Sequence, residues 1–136
     1  MVRKRPFKAP RLSESGRIRP PSDGTGSTQS AVVCLGFEHF LADSMAECDH
    51  NHLRLWADLL RRLSSSTWQT VTSASREKLG GEKIPRHQLL SIITANLPAD
   101  IEFLLSFRCS HTMRMIGFRS RERLELRWLD PKHEAY

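Results

Sequence analysis

Residues 113–129, MRMIGFRSRERLELRWL, hold two short runs in which apolar and charged side chains alternate along the chain. In the second run three apolar residues alternate with three charged ones, Leu124, Leu126 and Trp128 against Arg123, Glu125 and Arg127. A period of two is typical of a β-strand with one buried face. An earlier stretch, IEFLLSFRC, repeats the pattern and predicts a shared face of Ile101, Phe103, Leu105, Phe107 and Cys109.

The first half of the folded region is predicted to hold one strand and then one amphipathic helix. The stretch AVVCLGFEHFL, 31–41, is rich in β-branched and aromatic residues and predicts a first strand. Leu53, Trp56, Leu59, Leu60 and Leu63 then recur at helical spacing, which predicts an amphipathic helix over about 50–64. We expect Trp56, Leu59 and Leu63 to face the sheet.

Capping residues mark where the helices should begin. Ser44 and Glu47 fit a capping box at the start of the first helix, with Asp49 and Asn51 as competing N-caps. After the serine-rich break, Ser66 or Thr67 can cap a short second helix, WQTVTSA. These signals predict two helices between the first strand and the strands that follow.

The remaining segments complete a predicted α+β fold. KLGGEKIP is expected to be a loop, and HQLLSII, 87–93, a strand. The predicted order is one strand, two helices, and then an antiparallel meander of about four strands. The helices should cover one face of the sheet and leave the other face open.

Charge is distributed unevenly along the 136 residues, whose net charge is +6. Residues 1–30 carry seven Lys and Arg against two acidic residues, and they are rich in Pro, Gly and Ser. Such a composition predicts a disordered basic arm over 1–30, followed by one compact domain over 31–136. The arm favours a polyanionic partner, although a solubilising tail has the same composition.

Several classes of protein are disfavoured by the composition. Cys34, Cys48 and Cys109 are irregularly spaced and give no disulfide framework. No apolar run approaches the length of a membrane span, so we expect a cytoplasmic protein without a membrane partner. The stretch CDHNH, 48–52, does not match a usual zinc spacing, and no metal or cofactor is expected.

Basic residues of the last strands form the candidate functional surface. On paired strands they would gather on the open face of the sheet, which suits a phosphodiester backbone. The candidate nucleic-acid-binding residues are Lys83, Arg86, Arg119, Arg121, Arg123, Arg127 and Lys132. Arg114, His133 and Tyr136 are the candidate catalytic residues, because a cation can hold phosphate, an imidazole can transfer a proton, and a phenol ring can stack.

The stretches TMRMIGF, 112–118, and WLDPKHEAY, 128–136, resemble the RelE/ParE superfamily of bacterial toxins. In that family an arginine occupies the position of Arg114, and the last strand ends in a basic or His residue shortly before a Tyr. The basic stretch that enters an earlier strand corresponds to Lys83 and Arg86. The resemblance implies the order of elements predicted above.

The same resemblance implies an endoribonuclease toxin of a toxin–antitoxin system, which cuts mRNA on the ribosome without a metal. RNA or the ribosome would be the substrate, and an antitoxin protein would be a partner. Arg114, Lys83 and Arg86 would hold the phosphate, His133 would be the acid or base, and Tyr136 would position the RNA. Two alternatives stay open: a non-enzymatic nucleic-acid or ribonucleoprotein binder, and a module that inhibits a partner protein.

Overall fold

A computed structural model describes residues 27–75 and 78–136. Its elements confirm the predicted α+β class, with a strand, helices and then an antiparallel meander. In chain order they are β1 Cys34–Gly36, a 3₁₀ helix Ala42–Glu47, α1 His50–Ser64, α2 Trp68–Ser73, β2 Glu82–Pro85, a 3₁₀ helix Arg86–Gln88, α3 Ser91–Thr94, β3 Phe103–Arg108, β4 Arg114–Ser120 and β5 Arg123–Asp130.

The five strands form one mixed sheet in the order β1-β5-β4-β3-β2. β2 to β5 pair antiparallel with their neighbours in sequence. β1 pairs in parallel with β5, with Cys34 opposite Arg123 and Gly36 opposite Glu125. The first strand of the described residues is therefore held by the last one, which lies between β1 and β4.

The predicted first helix is confirmed as α1, and it packs on one face of the sheet. Leu59 and Leu63 are fully buried there, and Trp56 packs beside them. The Trp56 indole Nε1 donates to the Met115 Sδ of β4 at 3.1 Å. We call this cluster the first core; its buried residues are Val33, Leu59, Leu63, Trp68, Val71, Phe107, Cys109, Met113, Met115, Leu124, Leu126 and Leu129.

The start of α1 is capped by Asp49, one of the competing candidates, and the predicted Ser44–Glu47 box is wrong. The Asp49 carboxylate accepts from the His52 backbone N–H at 2.8 Å, and the Asp49 N–H donates back to His52 Nδ1 at 3.0 Å. Residues 42–47 form the 3₁₀ helix instead, in which Ser44 is buried and its hydroxyl donates to the Leu41 carbonyl. Thr67 caps α2, as predicted.

The opposite face of the sheet is covered, so the predicted open face is wrong. A second core lies there, with Ile84, Leu89, Ile93, Leu97, Leu104, Ile116, Phe118 and Ala135 buried and with Ile101, Trp128 and Tyr136 packed against them. HQLLSII was expected to be a strand, but it forms most of a 3₁₀ helix and α3. Its Leu89 and Ile93 side chains are buried against the sheet, whereas Leu90 and Ile92 are exposed. The strand β2 lies earlier, inside the predicted loop.

Two details of the predicted strand faces also differ from the structure. The register between β4 and β5 shifts at one point. Gly117 pairs with Leu126, whereas the neighbouring Ile116 pairs with Trp128, so Arg127 is an extra residue of β5. This β-bulge moves Trp128 to the second core, away from the face of Leu124 and Leu126. On β3, Phe103 is exposed and Leu104 is buried.

The predicted arm lies outside the described residues over 1–26. Its last four residues, 27–30, are described and contact the domain. Gln29 donates from its side chain to the Thr72 hydroxyl at 3.0 Å, and its carbonyl accepts from the Gln69 N–H at 2.7 Å. The basic segment is therefore joined to the domain beside α2.

Candidate functional site

Arg127, one of the predicted phosphate-binding residues, lies under the second core and is 5% exposed. Its guanidinium donates to three backbone carbonyls, those of Ile93 at 2.7 Å, His39 at 2.8 Å and Ala95 at 2.6 Å. Burial lowers the pKa of Arg127. The bulge places this side chain where it joins α3 and the loop after β1 to the sheet, so its donors are occupied inside the fold.

Arg86 and Arg114 also donate to backbone carbonyls inside the fold. Arg86 donates to four carbonyls of the segment that leads from α3 to β3, those of Thr94, Leu97, Pro98 and Ile101 at 2.8–3.4 Å. Arg114 is 8% exposed, and its Nη1 donates to the carbonyls of Ser110, His111 and Met113. Each arginine holds one turn of the backbone, and the structure does not bring the two together at an open surface.

Arg119, Arg121 and Arg123 lie together at the end of the β4–β5 hairpin, which we call the arginine hairpin. The Arg119 guanidinium lies over the Trp68 ring, 4.1 Å from its centroid. It donates to the Gln29 amide oxygen and to the Thr28 hydroxyl, both at 2.7 Å. Arg119 therefore fixes the point where the N-terminal segment meets the domain.

The two other side chains of the arginine hairpin are more accessible. Arg123 donates to Glu125 Oε2 at 2.8 Å, and its side chain is half exposed. This hydrogen bond to Glu125 raises the pKa of Arg123. Arg121 is exposed at the turn, with a positive φ of 59°. The hairpin thus presents cationic charge to solvent beside residues 27–29.

The two lysines of the predicted site lie apart from this hairpin. Lys83 on β2 is exposed, and its ammonium lies 4.8 Å from the centroid of the Phe103 ring. Lys132 follows β5 and lies 3.6 Å from the Glu47 carboxylate, with both side chains more than half exposed. Exposed pairs of this kind hold little energy, so both ammonium groups stay accessible to a ligand.

The last residues turn back over the second core. Asp130 is 4% exposed, and its carboxylate accepts from the backbone N–H groups of Glu134 and Ala135 at 2.8 and 2.9 Å. Tyr136 then reaches β3, where its hydroxyl lies 2.8 Å from Ser106 Oγ. His133 is exposed, and its ring is 5.0 Å from that of Tyr136. Of the three predicted catalytic residues, the structure brings His133 and Tyr136 together.

Sequence reasoning missed three polar residues that the structure buries in part or whole. Asp130 anchors the C-terminal turn; the Asp-Pro pair at 130–131 predicts a turn there, but not that the Asp130 carboxylate accepts from the backbone of that turn. Glu125 Oε1 and Arg108 Nε are buried and have no hydrogen-bond partner among the described residues. Arg108 pairs with Arg114 across β3 and β4.

The described ranges lack two other kinds of site. Within 27–75 and 78–136, no group of three or more His, Cys, Asp or Glu side chains is arranged to hold a metal ion. No helix in the same ranges has the length and apolar character needed to cross a membrane. Comparison with protein-family models, curated proteins and solved structures returns no match.

Proposed function

We propose that this protein is a cytoplasmic, non-enzymatic RNA-binding protein that grips phosphates through its N-terminal segment and the arginine hairpin. The observation that carries the proposal is the contact of Arg119 with Thr28 and Gln29. It joins a segment with seven cationic residues to the end of the hairpin that bears Arg121 and Arg123. The covalent chain therefore tethers the cations of the segment to this end of the hairpin, and we expect one phosphate backbone to contact both groups.

The burial of other cations supports binding without catalysis. A residue that stabilises a pentacovalent phosphate must direct its donors at the place where negative charge develops. Arg114 directs its donors at backbone carbonyls of the turn before β4, and Arg86 directs its donors at carbonyls of the segment from α3 to β3. The cations that remain accessible can neutralise phosphates, which is sufficient for binding that is independent of sequence.

Titration of a fluorescent single-stranded RNA at several salt concentrations tests this proposal. Each phosphate contact contributes about −0.7 to the slope of log K against log salt on a single strand. The variant with Arg3, Arg5, Arg17 and Arg19 changed to Gln should therefore reduce the slope by up to about 3, and Arg121→Asn by about 0.7. Asn is the suitable replacement because it tolerates the positive φ at this turn.

Arg54→Gln is the matched control, because it removes one exposed cation of α1 that donates to Asn51. This variant should keep the slope of the original protein. Equal slopes for all the variants would contradict the proposed interface. A loss of binding without a change in slope would also contradict it.

The second candidate function is the RelE-like endoribonuclease, and the His133–Tyr136 pair favours it. An exposed imidazole 5.0 Å from a phenol ring can transfer a proton while the ring contacts a base. Lys132, beside His133, would take the phosphate-holding role predicted for Arg114. In this case an antitoxin would be a partner and the ribosome would present the mRNA.

Induced expression in bacteria, with growth and translation followed, separates the two functions. A nuclease should arrest translation, and His133→Asn should abolish the arrest with the melting temperature unchanged. Asn suits the site because His133 has a positive φ of 57°. A binding protein should cause no arrest that depends on His133, and labelled RNA mixed with it should stay intact.

A further inference from the structure

Two neighbouring cavities open on the outer side of the second core. One has a volume of about 300 Å³ and is lined in part by Asp43, Glu47, Leu90 and Trp128. The other has a volume of about 280 Å³ and shares the residues Asp43 and Trp128, and Ile92 also lines it. Because two residues line both cavities, we treat them as one surface, the Trp128 groove.

The groove combines exposed aliphatic side chains with acidic ones. Leu90 is 48% exposed and Ile92 is 58% exposed, which makes Ile92 the more accessible of the two. Asp43, Glu47 and Glu134 are exposed carboxylates of the same surface. Two cations also line the groove. The Arg127 donors are occupied by three carbonyls, and Lys132 lies 3.6 Å from the Glu47 carboxylate, so Asp43 and Glu134 are the acidic side chains of the groove that are not near it. The surface therefore suits a ligand in which cations flank apolar side chains.

We propose that residues 4–19 of this same chain dock in the Trp128 groove. In this segment each large apolar residue stands directly beside a cation, as in Phe7-Lys8, Arg11-Leu12 and Arg17-Ile18-Arg19. Phe7, Leu12 and Ile18 would cover Leu90 and Ile92, and the cations would meet the carboxylates of Asp43, Glu47 and Glu134. This match of charge and apolar character is the reason for assigning residues 4–19 to the Trp128 groove.

The covalent link to the domain permits the docking. Residues 27–29 lie beside Arg119, which pairs with Leu124 near the start of β5, whereas Trp128 lies near its end. The eight residues of β5 span about 27 Å. The fifteen residues from Leu12 to position 27 reach up to about 50 Å when extended, which is enough to pass round the sheet.

Docking in the Trp128 groove would reduce the binding of nucleic acid by the N-terminal segment. The cations that meet the groove are the ones proposed to meet phosphates, so the two ligands would compete for the N-terminal segment. That competition rests on the proposed function, whereas the docking itself does not. An experiment without RNA therefore tests the docking alone.

A zero-length carbodiimide couples a lysine to a carboxylate only when the two are in contact. The full chain is treated in dilute solution, the monomer is isolated, and coupled peptides are identified by mass spectrometry. Docking predicts that Lys4 and Lys8 couple to Asp43, Glu47 or Glu134. A segment that is only tethered should couple instead to Asp100 and Glu102, which share a cavity with Thr28 at the root of the segment.

A variant tests the role of the apolar side chains while both lysines stay in place. Changing Phe7, Leu12 and Ile18 to Ser should lower coupling to the groove by about tenfold or more, because burial of one such side chain is worth that factor. Unchanged coupling in this variant, coupling mainly at Asp100 and Glu102, or coupling confined to dimers would each overturn the proposal.

Discussion

Tyr136 and Ser106 are joined by a hydrogen bond of 2.8 Å between their hydroxyl oxygens, across 30 positions of sequence. Ser106 is 3% exposed, and Tyr136 packs against the second core. The last residue of the chain is therefore held against β3 from the face that the sequence suggested would be open. A role of Tyr136 in stacking on RNA remains a prediction. What the structure shows is that Tyr136 holds the C-terminal turn against the second core.

Tyr136→Phe should lower the free energy of unfolding by about 1–3 kcal/mol, because it leaves the buried Ser106 hydroxyl without its partner. Urea unfolding measures this change. Adding Ser106→Ala to Tyr136→Phe should recover part of the loss, since both polar groups are then removed together. A double variant that shows the full sum of the two single losses would contradict the pairing.

Arg127→Met should be strongly destabilising, by about 3 kcal/mol or more, because three carbonyls lose their donor at once. Arg127→Lys should recover only part of this loss, since one ammonium cannot match a planar guanidinium that reaches three acceptors. Arg54→Met on the exposed side of α1 is the control and should leave the unfolding midpoint nearly unchanged. If Arg127→Met were as mild as the control, the carbonyl contacts would not stabilise the fold.

Asp49→Ala should lower stability by about 0.5–2 kcal/mol, because it removes the side chain that caps α1. Any loss of stability in Ser44→Ala would have a different cause. The Ser44 hydroxyl donates to the Leu41 carbonyl and accepts from the Leu129 N–H, and it does not contact the start of α1. Far-ultraviolet circular dichroism of the two variants separates the cases. Only Asp49→Ala should fray the first turn of α1, and an intact first turn in that variant would refute the assigned cap.

Stability should depend on pH through Cys109. Burial raises the pKa of this thiol to about 12, whereas an unfolded thiol ionises near 8.5–9. Its contribution is therefore complete below about pH 8.5 and is lost as the pH rises toward 12, because the unfolded chain gains the thiolate first. By pH 10 the loss should be about 1–2 kcal/mol.

Urea unfolding at pH 8 and pH 10 measures this loss in the free energy of unfolding. The variant Cys109→Ala should lack this part of the pH dependence. Cys34→Ala is the control, because Cys34 is exposed and its removal should leave the dependence as it was. An identical pH dependence in Cys109→Ala and the original protein would show that the buried thiol does not contribute.

The fold could be predicted where local pattern and tertiary role agree. α1 has one buried stripe, and its leucines recur at helical spacing, so it was predicted with its boundaries. β2 was missed because it has only four residues, next to two glycines. HQLLSII has the composition of a strand, but it forms helical turns that bury Leu89 and Ile93 on the sheet and leave Leu90 and Ile92 exposed.

The candidate site was less predictable, because charge in a sequence does not reveal what a guanidinium contacts. Alternation placed Arg114 and Arg127 on one face of the sheet and suggested that solvent or phosphate would meet them. Arginine has five donors and a long apolar stem, so it can be buried where backbone carbonyls converge. The carbonyls that meet Arg127 come from positions 39, 93 and 95, and no local pattern connects those positions.

The parallel pairing of β1 with β5 has a consequence for biosynthesis. About 90 residues separate the two strands, and at about 5–20 residues per second the ribosome needs several seconds to make them. During that interval α1 has its apolar stripe but lacks most of the sheet that buries it. We therefore expect the nascent chain to need a chaperone or a slow, late folding step, because the pairing that closes the sheet is among the most distant in the sequence.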